Sequence, residues 1–116
     1  MKLYYASRTG NVQKLIDRMG IEASKIIDGN EIASEDFVVI TYTDGEGIIP
    51  PNVKKFLDQN RDKLKGAAVS GNSERHPDTF CTAADKIEAE YGCPIIVRFE
   101  KDGEGLADQA IIAALS

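Results

Sequence analysis

The sequence predicts an α/β domain built on a doubly wound parallel sheet, with helices on both faces. Three observations lead there. Strand-length apolar runs alternate with helix-length amphipathic segments almost from end to end. The clearest run, FVVITY at residues 37–42, is continuously apolar, as a parallel strand covered on both faces should be. The loops after three of the runs are rich in small, hydroxylated and amide residues, the kind that face a ligand at the carboxyl edge of such a sheet.

Taken in order, residues 2–6 read as a buried strand, followed by a polar loop and a helix whose Val12, Leu15, Ile16 and Met19 share one face. Gly20 stops that helix. A short strand is expected at residues 24–28, then a turn at Gly29-Asn30. Fewer than ten residues separate that strand from the one at 37–42, short of the dozen or so a helical crossover uses. The loop at 43–51 carries two glycines and two prolines and leads to a helix with Val53, Phe56 and Leu57 in phase. Residues 65–71 form a fourth strand, 78–91 a helix with Phe80, Ala84, Ile87 and Tyr91 on one side and Gly92 as its stop, 94–99 a fifth strand, and 106–115 a last helix.

One hundred and sixteen residues, 42% of them hydrophobic, suit a single domain with one core. A net charge of −5 argues against a general nucleic-acid or anionic-membrane surface, since phosphate affinity needs clustered Lys and Arg. The N-terminus lacks a signal peptide's layout, and no apolar run approaches the roughly 18 residues that span a bilayer, so a cytoplasmic protein is expected. Cys81 and Cys93 fall outside metal-ligand spacing, and one histidine leaves a zinc site without partners. Cys81 sits where a helix is expected to begin, a place that can depress a thiol pKa for a redox role or simply bury a small side chain. No G-x-G-x-x-G or Walker A motif is present.

The loops that would gather at the carboxyl edge are residues 7–11, 42–47 and 71–80. In the first, Ser7 and Thr9 can donate from hydroxyls, Gly10 gives space and backbone freedom, and Asn11 can cap the helix or reach a ligand. A helix N-terminus with such residues is either a well-capped start or an anion site, because its first N–H groups lack intrahelical partners and carry the positive end of the dipole. Tyr42 reads equally as a stacking face or a half-buried core side chain.

Four motifs carry a family resemblance: S-x-T-G-N at 7–11, V-x-I-T-Y-T at 38–43, K-G-A-A-V-S-G-N at 65–72, and A-A-D-K-I-x-x-x-Y-x-x-P-I-I-x-x-F-E at 83–100. Together they resemble the NrdI family, small flavodoxin-like proteins that serve the class Ib ribonucleotide reductase. The resemblance covers nearly the whole chain and implies one flavodoxin-like domain over residues 1–116, its five parallel strands in the order 2-1-3-4-5. It implies an FMN whose phosphate lies against Ser7, Arg8, Thr9, Gly10 and Asn11, with Val12 beside them. The isoalloxazine would lie between the loop of Thr41, Tyr42, Thr43, Asp44 and Gly45 and the loop of Gly71 and Asn72. Backbone groups at 43–45 would face its N5 and O4 edge.

The family's chemistry is that reduced FMN reacts with dioxygen and passes a superoxide-type oxidant to the dimanganese radical subunit, NrdF, which builds its tyrosyl radical. A separate reductant, which the sequence does not name, recharges the flavin. No side chain need act as nucleophile or base, and the chain itself holds no metal. Whether such an accessory protein is an enzyme stays open. Two departures stand out. Many family members carry an aromatic residue soon after S-G-N, whereas this chain reaches one only at Phe80, leaving His76 or Phe80 as candidates for the outer flank of the ring. The link after the second strand is also shorter than in larger flavodoxins. Arg8, Arg75 and His76 would favour an anionic reduced flavin, with Asp44 and Glu46 opposing, unless all are solvated surface charges. The alternatives are an electron-carrier flavodoxin and, remotely, a receiver-type signalling domain. A receiver needs clustered acids where Ser7-Arg8 stand and a phosphoacceptor aspartate where Thr41-Tyr42 stand.

Overall fold

A computed structural model describes residues 1–43, 47–75 and 77–115, with only the backbone of Glu104. Five parallel strands form one sheet in the order β2-β1-β3-β4-β5: β1 Lys2–Tyr5, β2 Ser24–Lys25, β3 Phe37–Tyr42, β4 Leu64–Gly71 and β5 Ile95–Glu100. The four α-helices are α1 Asn11–Met19, α2 Pro51–Gln59, α3 Thr82–Tyr91 and α4 Asp108–Leu115. The expected order 2-1-3-4-5 is the observed one.

Side chains on a strand point alternately to the two faces, and each central strand here feeds two cores. Leu3, Tyr5, Val38, Ile40 and Ala68 pack with Val12 and Leu15 of α1 and Ile111 of α4. Tyr4, Phe37, Val39, Ala67 and Val69 pack with Val53, Phe56 and Leu57 of α2 and Ala84 and Ile87 of α3. The second layer is centred on a triangle of rings: Tyr4, Phe37 and Phe56 have centroids 4.8–5.3 Å apart. This two-sided burial explains why β3 is continuously apolar, since neither face meets water.

Two expectations need correction. The second strand ends at Lys25 rather than near residue 28. Ile26 is buried and donates its N–H to the Tyr5 carbonyl at 2.7 Å, but Gly29 adopts φ 88° and turns the chain away. What replaces a crossover helix is a polar clip. The Glu31 carboxylate accepts from the backbone N–H groups of Ile27, Asp28 and Gly29. Buried Asn60, at the end of α2, accepts from Ala33 N–H at 2.8 Å and donates to the Glu31 and Phe56 carbonyls. The second correction concerns α3, which starts at Thr82 and not Asp78. Pro77–Thr79 make a 3-10 turn, and Cys81 takes a left-handed conformation, φ 54°, that separates the two.

Candidate functional site

The carboxyl ends of β1, β3 and β4 open onto one narrow crevice of about 90 Å3, below the roughly 300–1,000 Å3 of enclosed small-molecule sites. Its floor is the start of α1. Gly10, in the left-handed region at φ 94°, reverses the chain so that α1 begins at Asn11. The Ser7 hydroxyl accepts from Gln13 N–H at 3.2 Å, and Asn11 donates to the Thr9 hydroxyl at 3.5 Å. No acidic residue lies in the first turn of α1, so no charge within that turn opposes an anion at the positive end of its dipole.

Ser7, Arg8, Thr9, Asn11 and Val12 line the crevice on this side, and Tyr42 and Thr43 line it from β3. The Arg8 guanidinium lies over the Tyr42 ring, 5.4 Å from its centroid, joining two loops that the sequence places 34 residues apart. Thr43 is fixed to β4: its N–H and its hydroxyl both donate to the Ser70 carbonyl, at 2.9 and 3.0 Å. On the third side stand Gly71, Asn72 and Phe80. The Asn72 side-chain oxygen accepts from Glu74 and Arg75 N–H in a local turn, so the end of this side chain still able to donate to a ligand is its NH2 group.

Not every expected residue lines the crevice. Gly10 shapes the turn without lining the cavity, and Thr41 is fully buried beneath it, donating to the Tyr42 carbonyl. Asp44, Gly45, Glu46 and His76 lie outside the described residues. The structure adds Ser70, Thr79 and Cys81 to the lining and places Arg75, expected as a charge near the ligand, in it as well. Ser70 was hidden because its hydroxyl points to a backbone partner, the Lys101 carbonyl, that follows β5 and is remote in sequence. Cys81 is buried, its thiol near the Val69 carbonyl, and burial pushes its pKa up to about 11. Of the two readings of Cys81, the buried small side chain is the one observed; desolvation at a position that precedes α3 and faces the core works against an acidified thiol. Among the described residues, no cluster of His, Cys, Asp and Glu could hold a metal ion, and no helix is long and apolar enough to cross a membrane.

A helix start at the switch point of a 2-1-3-4-5 sheet, with two loop walls beside it, defines a flavodoxin-like domain. The fold is similar to that of a solved short-chain flavodoxin associated with a non-canonical PDU bacterial microcompartment, with a TM-score of 0.59 and 19% identity over 99% of this chain and 97% of that one. The family model described as NrdI Flavodoxin like matches residues 3–112. Relatives include Protein NrdI of Bacillus licheniformis, 37% identical over 89% of this chain and 78% of the relative. The SPbeta prophage-derived protein NrdI of Bacillus subtilis is 36% identical over 93% and 85%, and Protein NrdI of a Ruegeria species is 34% identical over 87% and 77%. The chain belongs to the NrdI family.

Proposed function

We propose that this chain is an FMN protein of the class Ib ribonucleotide reductase system, supplying oxidant to the dimanganese NrdF subunit for assembly of its tyrosyl radical. The observation that carries the reading is the junction of an α1 N-terminus, with no acid in its first turn, and two loop walls in a chain of the NrdI family. The donor chemistry fits FMN. Hydroxyls of Ser7 and Thr9, with the first N–H groups of α1, suit a phosphate. Tyr42 and Phe80 offer aromatic surface, and Asn72 offers an amide, for a planar heterocycle. When bound and reduced, FMN would pass electrons to dioxygen, yielding a superoxide-type oxidant.

The residues of this chain would then bind, orient and tune. Ser7, Arg8, Thr9, Gly10, Asn11 and Val12 would anchor the phosphate end. Thr41, Tyr42, Thr43, Asp44 and Gly45 would form one wall and Gly71 and Asn72 the other, with His76 and Phe80 toward the outer edge. NrdF would dock over the open side of the crevice, in the cytoplasm, and a separate reductant would recharge the flavin. The test has two stages. Purified protein should carry, or take up, about one FMN per chain; a colourless protein that refuses FMN would overturn the reading. The reduced holoprotein, mixed with manganese-loaded NrdF and air, should then produce a tyrosyl radical signal that FMN alone does not.

A further inference from the structure

One short turn, residues 79–82, lines the crevice through Thr79, Phe80 and Cys81 and packs against both Gly71 and Gly47. Gly71, at the end of β4, meets it closely: a Cβ there would stand 2.8 Å from Phe80 Cδ1 and 2.9 Å from both the backbone N and the Sγ of Cys81. Gly47, at the far end of the loop between β3 and α2, is buried and has φ 87°. A Cβ there would stand 3.0 Å from Thr79 Cβ and collide with the Thr82 hydroxyl. Two glycines thus let one turn press against the backbone of both loops.

We propose that the 79–82 turn is the keystone of the site and that Thr82 is a positioning residue that sets where the loop between β3 and α2 stands against the flavin. This rests on the flavin reading above. The Thr82 hydroxyl lies 2.9 Å from the Gly47 carbonyl oxygen and 3.0 Å from that of Thr79. A hydroxyl has one proton, so the loop and the turn share a single donor. The near end of the loop is fixed by Thr43 on Ser70. The far end depends on Thr82 and on the burial of Ile49. Removing the hydroxyl deprives a buried carbonyl of its donor, which favours conformations in which Gly47 shifts toward water. Thr43, at the other end of the same loop, lines the crevice, so a shift at Gly47 would reach the ligand through it.

The experiment compares Thr82→Val, which keeps the shape and removes the donor, with Thr82→Ser, which keeps the donor. In the flavin-free protein, hydrogen exchange of a peptide covering residues 47–53 should quicken about fivefold in Thr82→Val and stay near wild type in Thr82→Ser. Dissociation constants for FMN and for riboflavin, which lacks the phosphate, should both rise about fivefold in Thr82→Val, because the phosphate end is untouched. Wild-type exchange and affinities in Thr82→Val would overturn the proposal. So would faster exchange across the whole chain with unchanged affinities, or a loss confined to FMN. If the wild-type protein binds neither flavin, the flavin reading fails, while the exchange data still decide whether Thr82 holds the loop.

Discussion

Glycine at two positions of the crevice serves two different physical needs. Gly10 has φ 94° and nothing within 4 Å of where a Cβ would stand, so it is there for its dihedral angle and not for room. Gly10→Ala should therefore cost about 1–2 kcal/mol of stability through left-handed strain, and Gly10→Asn less; urea unfolding midpoints check both. Gly71 shows the reverse case: its φ is not positive, but Phe80 and Cys81 crowd it. Gly71→Ala should push Phe80 outward and weaken FMN binding more than it lowers stability, as titration and melting would reveal. In the sequence both are the same letter after a strand, so the motif was legible while its reasons were not. Of the two reasons expected for Gly10, space and backbone freedom, the positive φ shows the second to be the one that fixes the residue.

Charge and titration also act at this scale. Arg8 and Arg75 both line the crevice. If they stabilise an anionic reduced flavin, Arg8→Gln and Arg75→Gln should each lower the potential of the second one-electron step by on the order of tens of mV, the small value reflecting solvent screening. Unchanged potentials would make them plain surface charges. Burial raises both thiols, Cys81 and Cys93, as it does the Tyr91 hydroxyl. A group with a raised folded pKa stabilises below its unfolded value and loses that contribution as pH rises, so stability should fall above about pH 9. A Cys81→Ala variant should show a shallower fall in denaturant midpoint between pH 8 and 10.

At the scale of elements, alternation and period made the four helices and most strands legible, because each buries a continuous stripe in one of two layers. What could not be read was set by contacts distant in sequence. The two-residue β2 is followed by a clip whose key residue, Asn60, lies on another element. Asn60→Ala should cost about 2–3 kcal/mol, since it strands the buried Ala33 N–H and takes a donor from the Glu31 carbonyl, while the Phe56 carbonyl keeps the Asn60 backbone N–H. Likewise, Arg18 in the last turn of α1 donates to both oxygens of Asp108, at 2.8 and 2.9 Å, in the first turn of α4. Each charge also complements the dipole of its own helix. The pairing holds the Asp108 carboxyl below the usual carboxylate range. That stabilisation is present above the unfolded value of 3.8 and is lost as pH falls through the lower folded value. Asp108→Asn should lower stability by about 1 kcal/mol at neutral pH and by little at strongly acid pH.

For the molecule as a whole, ligand binding to the folded state alone raises its apparent stability. FMN at one hundred times its dissociation constant should add about 2.7 kcal/mol, read as a rise in melting temperature. Riboflavin should add less at equal concentration if the α1 N-terminus holds a phosphate. The net charge of −5 coexists with two arginines in the lining of the crevice, so a partner docking there would meet positive side chains on a chain whose total is negative. Salt should weaken that association if the arginines steer it.

The bridge between Arg18 and Asp108 has a consequence for how the protein is made. It joins residues 90 apart, and beneath it Leu15 and Val12 of α1 share a core with Ala107 and Ile111. During synthesis, which proceeds from the N-terminus at roughly 5–20 residues per second, α1 emerges early but has no α4 to pack against until nearly the whole chain has been made. The floor of the crevice is therefore translated well before the helix that locks it, and a ribosome-bound chain halted before α4 should retain no FMN.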